Sequence, residues 1–254
     1  MPDITESARY LLEHAHYTED LALWTAIGAQ ASGPVLDLGC AAGRLAIALA
    51  DVGCEVVALD ADPRMLDALA ANAAAAGVAP RIHPVCADMR TFVLDTPVAL
   101  AIASMNTLQV LLRPEDQLAC LGQVHTALVP DGEFWFDLAV PDIGDVMNSL
   151  GTVRAGDVYA DPATGVRLAH SFWYDWVDPI SQNAQFTHRV DEIAADGASS
   201  SYFREHQVHL FAPVELGHLL ARAGFEVVQS WGDFAGAPLE AGADRQVYRC
   251  RVQA

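Results

Sequence analysis

Val35-Leu36-Asp37-Leu38-Gly39-Cys40-Ala41-Ala42-Gly43-Arg44-Leu45 is an apolar strand that ends in a glycine-bearing turn and opens directly into an apolar helix. A helix N-terminus carries backbone N–H groups without intrahelical partners, and small residues beside it let a ligand come close. Gly39, Ala41 and Gly43 therefore read as clearance at the strand end, and the stretch reads as the seat of a nucleotide-like cofactor. Dinucleotide folds carry G-x-G-x-x-G at this corner. Here Ala41 and Arg44 stand where the second and third glycines would fall, so a pyrophosphate fits poorly and NAD is disfavoured.

A helix from Leu45 to Val52 leads to a second apolar strand, Cys54 to Leu59, which ends at Asp60. That acid follows the glycine turn by about twenty residues, where a ribose-binding carboxylate is expected. The next segment, Asp60-Ala61-Asp62-Pro63-Arg64-Met65-Leu66, places a proline where a first helical turn accepts one. A third strand, Ile82 to Cys86, then delivers Ala87-Asp88-Met89.

The D-x-G-x-x-x-G spacing of Asp37, Gly39 and Gly43 resembles motif I of the class I S-adenosylmethionine-dependent methyltransferases, with Ala41 in place of the usual central glycine and hence a slightly tighter turn. The resemblance covers residues 33 to 140 well and the C-terminal part more loosely. It implies S-adenosylmethionine as cofactor and S-adenosylhomocysteine as product. Cofactor contacts are then expected from Asp37, Gly39, Cys40, Ala41, Gly43, Asp60, Ala61, Asp88, Met89 and Ser104. Asp60 would grip the ribose hydroxyls, Asp88 would accept from the adenine amino group, and Met89 would supply a backbone N–H.

Composition narrows the partners. The chain has 254 residues, 52% of them hydrophobic, enough for a sizeable core. Its formal net charge is −19, and all 14 basic residues are arginines. Nucleic-acid binding needs a basic face that scattered arginines do not make, and the absence of lysine excludes Schiff-base chemistry. An acidic surface favours the approach of cations, a sulfonium or an amine among them. No apolar run is long enough to span a membrane and no signal pattern opens the chain, so a cytoplasmic protein is expected. The five cysteines stand singly, without C-x-x-C, and read as buried thiols; no metal site is expected.

The alternation of short apolar strands with helical stretches predicts a Rossmann-like α/β fold, a seven-stranded mostly parallel sheet with helices on both faces. Its strands are Pro34 to Leu38, Cys54 to Leu59, Ile82 to Cys86, Val98 to Ala103, Glu133 to Leu138, Phe225 to Trp231 and Gln246 to Val252. Helices are expected about Leu45, Met65, Leu108 and Leu118, the last ending near Val129-Pro130-Asp131-Gly132, and again over Pro213 to Ala223, capped by Gly224. Between Pro141 and Pro213 the period becomes two: Val166 to Val177, Ala184 to Ala194 and Ser201 to Phe211 read as an antiparallel β insertion after the fifth strand. Leu168, His170, Phe172, Tyr174 and Trp176 fall on one face of its first strand. The expected organisation is one structural domain: an N-terminal helical lid over 1–32, a methyltransferase core over 33–141 and 212–254, and a substrate cap over 142–211.

Methyl transfer is an in-line displacement at a sulfonium carbon, so the protein chiefly aligns a nucleophile and excludes water. The expected reaction is transfer to an N or O atom of a small molecule by a monomer or homodimer. The loop Ala103 to Val110 faces the methyl group in the family this chain resembles. Asn106 and Gln109 then orient the acceptor, while a capping role for Asn106 is the structural alternative. Amine-methylating relatives often carry a histidine where Val110 stands. Tyr17 and His14, in the lid with Tyr10, His16 and Trp24, join Asn106 as catalytic candidates. Trp173, Tyr174 and Arg189 join Gln109 as substrate candidates, although an ion pair with Asp191 accounts for Arg189 equally well. His170 and His206 on strand faces read as hydrogen-bonded structural residues. Two other readings stay open: non-methylating chemistry on the same cofactor, such as cyclisation of its aminobutyrate arm or a pericyclase scaffold, and a catalytically inactive cofactor-binding partner protein.

Overall fold

In the computed structural model, which describes residues 13–14, 16–161 and 164–253, the first half of the chain alternates strand and helix as its pattern predicts. In order come α1 (Leu21–Gly28), β1 (Val35–Leu38), α2 (Arg44–Asp51), β2 (Val56–Asp60), α3 (Pro63–Ala75), β3 (Ile82–Cys86), β4 (Val98–Ala103), α4 (Pro114–Ala127) and β5 (Leu128–Ala139). Pro63 does take the first position of α3, where its missing N–H costs nothing, and Asp62 caps the helix by accepting from the Arg64 amide at 2.9 Å. After the insertion, α6 (Pro213–Arg222) precedes the hairpin of β10 (Phe225–Trp231) and β11 (Arg245–Val252).

The seven strands lie in the order β10-β11-β5-β4-β1-β2-β3, and β11 alone runs antiparallel to both its neighbours. Strand β1 is buried at every position because helices cover both faces of the sheet, which is why Val35, Leu36 and Leu38 are apolar without alternation and Asp37 is the one buried acid among them. One core packs Phe134, Phe136 and Tyr248 against Leu121 and Val124 of α4 and Leu216 and Leu220 of α6. The other packs Trp24 of α1, Leu45 and Leu49 of α2 and Leu66 and Leu69 of α3 beneath Trp135 and Val247. The chain leaves β1 toward β2 and β3 on one side and returns to β4 and β5 on the other, so a crevice opens beyond the carboxyl ends of β1 and β4.

The insertion begins with α5 (Ile143–Asn148) and forms a separate four-stranded antiparallel sheet, β6 (Arg154–Ala160), β7 (Arg167–Asp178), β8 (Asn183–Ile193) and β9 (Ser199–His209). Three of these strands were legible in the alternation. The fourth, β6, is largely exposed and carries no apolar period. The phase also changes within β7: a bulge between Tyr174 and Trp176 pairs Trp173 with Thr187 and Trp176 with Gln185, so Trp176 shares the face of Trp173 rather than that of Tyr174. The helix expected about Leu108 is a single 3-10 turn, Thr107–Val110, and the Pro-Asp-Gly corner lies inside β5, with Asp131 left-handed at φ 61°. Among the described residues no helix is long and apolar enough to cross a membrane.

Candidate functional site

The crevice is floored by the turn between β1 and α2. Gly39, Ala41 and Gly43 all have positive φ (74°, 45° and 94°), so the turn needs two glycines and tolerates one strained alanine. The amides of Gly39 and Cys40 donate to the Leu59 carbonyl at 2.8 and 2.9 Å, which ties the turn to β2. A Cβ at Gly43 would lie 2.2 Å from Leu69 Cδ1, and one at Gly39 would lie 2.7 Å from Thr107 Cγ2. The glycines thus serve backbone handedness and close packing of the turn against protein; Gly43 in particular seats α2 against α3.

Asp60, at the end of β2, accepts from the Ala41 amide through Oδ2 and from the Asp62 amide through Oδ1, each at 2.9 Å. Two adjoining cavities surround it. The larger, about 400 Å³, is lined by His14, Asp37, Gly39, Cys40, Asp60, Met89, Ser104, Asn106, Val110 and His206 among others. The smaller, about 290 Å³, is lined by Gly39, Asp60, Ala61, Asp88, Met89, Arg90 and Val110 among others. Their common walls make one cleft across the ends of β1, β2, β3 and β4. Of the ten cofactor candidates, eight line it; Ala41 reaches it through Asp60, and Gly43 is turned into the helix packing.

Charge in the cleft is unevenly held. Asp37 is 1% exposed and its Oδ2 has no hydrogen-bond partner among the described residues. Burial pushes its carboxyl up to about 7, against the pull of the Arg44 guanidinium. Asp88 is the opposite case: hydrogen bonds from the Arg90 guanidinium and the Arg90 amide hold it down to about 2.

The loop after β4 is strained at two consecutive residues, Met105 (φ 55°) and Asn106 (φ 63°). Buried Asp137 fixes it by accepting from the Met105 amide at 2.8 Å, while its other oxygen meets Arg245 Nη1 at 2.8 Å. Asn106 does not cap the following 3-10 turn; its Oδ1 accepts from the Ala139 amide at 2.6 Å and from Arg245 Nη1 at 3.2 Å. Burial raises the Asp137 carboxyl to about 6, with Arg245 opposing. Gln109 is buried and lines neither cavity.

The N-terminal segment is clamped beside this loop. Arg44 forks onto the buried Asp20 carboxylate at 2.7 and 2.6 Å and donates to the Tyr17 carbonyl at 3.0 Å. The Tyr17 ring lies between the guanidiniums of Arg44 (5.2 Å) and Arg245 (5.6 Å). His14 reaches the larger cavity, and Tyr10 lies outside the described residues. In the insertion, Trp173 and Arg189 lie on the face of Phe203 and Asp191, opposite the face that carries His206, and Arg189 pairs with Asp191 at 2.9 Å. Tyr174 shares the inner face with Phe186 and His206, but lines neither cavity. His206 does line the cleft. Its sequence signal was the period of β9, which put it in register with Phe186, but no motif marked it.

A methyltransferase domain model matches residues 35–132, from β1 into β5. Over 209 residues the chain is 26% identical to the cypemycin N-terminal methyltransferase of a Streptomyces species, covering 82% of this chain and 78% of that protein. The CcbJ methyltransferase of Streptomyces caelestis superposes with a TM-score of 0.75 at 27% identity, covering 93% of this chain and 90% of that one. Streptomyces venezuelae DesVI shares the fold, with a TM-score of 0.77 over 99% of this chain and 100% of that one, at 17% identity. Residues 35–132 thus match a methyltransferase domain, and the chain over most of its length is similar in sequence and fold to S-adenosylmethionine-dependent methyltransferases.

Proposed function

We propose that this enzyme transfers the methyl group of S-adenosylmethionine in line to an amine nitrogen of a small molecule. The observation that carries the reading is the cleft itself, where Asp37, Asp60 and Asp88 stand at or beyond the ends of three successive strands around one continuous hollow. These residues fit the cofactor on structural grounds. The unpartnered Oδ2 of Asp37 suits the ammonium of an amino-acid tail, and a tail bound there would relieve the penalty that raises Asp37. Asp60 is held rigid by two backbone donors and keeps lone pairs for a ribose diol. Ala61, Met89 and Val110 form an apolar slot with Asp88 at its edge, as a purine requires.

When bound, the cofactor supplies a methyl group on a positively charged sulfur. The chain's own part is to position the acceptor and exclude water. Asp137 and Arg245 hold the strained Met105-Asn106 loop in one shape, the Arg44 and Asp20 clamp holds the N-terminal lid beside it, and the inserted sheet, which brings His206 to the cleft, is the cap. A further cavity of about 640 Å³ is lined by Glu19, Asp233, Glu240 and Asp244 together with Arg245. Four acidic residues against one guanidinium there, on a chain of net charge −19, support a cationic acceptor.

Titration calorimetry with S-adenosylmethionine, S-adenosylhomocysteine and NAD, followed by incubation with a panel of primary and secondary amines and with matching alcohols, tests the reading. Binding of the first two ligands with S-adenosylhomocysteine and an N-methylated product supports it. Methylthioadenosine as the product, or methylated alcohols without methylated amines, overturns it. Binding without turnover on any acceptor points to an inactive partner protein.

A further inference from the structure

Facing the strained loop from the capping sheet is an imidazole that the cofactor does not need. His206 sits on the inner face of β9, in register with Phe186 of β8, and β9 packs on the 3-10 turn Thr107–Val110. It shares the larger cavity with Ser104, Asn106, Val110 and His14. Its ring stacks on Phe186 at 4.9 Å and 23°, which sets the ring plane, and neither ring nitrogen has a hydrogen-bond partner among the described residues. His209, three residues on, shows what a structural histidine looks like here: its nitrogens meet Asn183 Oδ1 and Glu215 Oε1, each at 2.9 Å.

Behind His206 the same face continues with His188 (ring centroids 6.2 Å apart) and then His170, 5.0 Å beyond His188. Arg204 lies beside them and pairs with the nearly buried Glu13 of the N-terminal segment at 2.7 Å. We propose that His206 is the catalytic residue that accepts the proton given up by the acceptor nitrogen, and that Phe186 and His188 are positioning residues that hold its ring toward the cleft. The inference rests on the methyl-transfer reading above. In the step, a free nitrogen of His206 takes a proton from the acceptor ammonium, which frees the nitrogen lone pair; that lone pair forms the new N–C bond as the C–S bond breaks, and the sulfur keeps that bond's electron pair. Water takes the proton from the imidazolium as the methylated ammonium leaves.

The surroundings keep His206 able to do this. Burial lowers its affinity for a proton and the Arg204 charge lowers it further, while Glu13 opposes both; burial and the neighbouring imidazoles bring His188 down to about 4. The row is therefore neutral at neutral pH, and only a neutral imidazole can accept.

The test uses the full chain with His206→Gln and His206→Phe, and His209→Gln as a histidine outside the cleft. Imidazole resonances followed by NMR in the protein alone should place the His206 midpoint below 6.5. Both variants should bind S-adenosylmethionine as the parent does, and lose about 100-fold or more in kcat with little change in acceptor KM. They should also lose the acidic limb of the rate profile, which rises with pH as His206 gives up its proton. His188→Gln should shift that limb and leave cofactor affinity alone. A parent protein that forms no S-adenosylhomocysteine with any amine defeats the functional reading and this inference with it. An active parent with His206→Gln equally fast and unchanged in pH profile, or a His206 midpoint at or above 7, defeats this inference only.

Discussion

Replacing Arg44 by Met tests the clamp on the N-terminal segment. The change keeps an apolar stem of similar reach and removes the guanidinium that forks onto Asp20 at 2.7 and 2.6 Å, donates to the Tyr17 carbonyl at 3.0 Å and lies 5.2 Å from the Tyr17 ring centre. Asp20 is fully buried, so its carboxylate is left with the Trp24 Nε1–H donor at 3.0 Å as its one remaining side-chain partner among the described residues. Breaking a buried pair from one side costs about 3–5 kcal/mol, because the stranded charge keeps its desolvation penalty, and the lost cation–π contact adds about 0.5–1 kcal/mol. Arg44→Met together with Asp20→Asn removes the stranded charge and retains an acceptor for Trp24. The double variant should thus be more stable than the sum of the single losses by about 1.5–3 kcal/mol. Urea unfolding at neutral pH reads both quantities, and calorimetry on the same samples should show weaker cofactor binding as Tyr17 loses its anchor. A single-variant loss under about 1 kcal/mol, or strictly additive losses, would refute the clamp as a buried, coupled pair.

Asp37 predicts an unusual pH dependence. Its folded-state carboxyl is raised from 3.8 to about 7, so between those values the native state holds a proton that the unfolded chain has released. Stability contributed by this group therefore falls as pH rises through that window, by at most about 4 kcal/mol, and Asp37→Asn should flatten the fall in thermal melts. Two glycines separate backbone strain from packing: Gly77→Ala meets only a φ of 75° in open space and should cost about 1 kcal/mol, whereas Gly43→Ala adds a Cβ 2.2 Å from Leu69 Cδ1 and should cost at least about 1–3 kcal/mol more. Equal losses in urea unfolding would remove the packing role from Gly43. Asp60→Ala should weaken S-adenosylmethionine binding by about 10-fold or more, since hydrogen bonds to a charged group contribute about 1.5–3 kcal/mol, with the fold retained; unchanged affinity in calorimetry would end the ribose assignment.

Local pattern made most of the core legible. The run from Val35 to Leu45 and the acid at Asp60 follow from chain-local rules, because a buried parallel strand must be apolar and the turn after it must bend with positive φ, whereas the Asp88-Met89 pair was legible only through the family resemblance. The same locality explains the failures. One extra residue at a bulge moved Trp176 to the other face of its strand, and exposed β6 had no period to announce it. Asn106 read as a residue that orients the acceptor, with a cap as the alternative, yet its side-chain oxygen is used by Ala139 and Arg245, more than thirty residues away in each case.

What the amino-acid order alone determined is therefore the strand-and-turn scaffold with its row of acids, since hydrophobic period and turn chemistry act over a few residues at a time. Only the tertiary structure decided which side chains face the cleft. It brought His206 from the inserted sheet to the loop after β4, turned Trp173 and Arg189 to the opposite face, and buried Asp37 and Asp137 deeply enough to raise both carboxyls, because facing, burial and charge pairing are set by strands and helices that meet across the whole length of the chain.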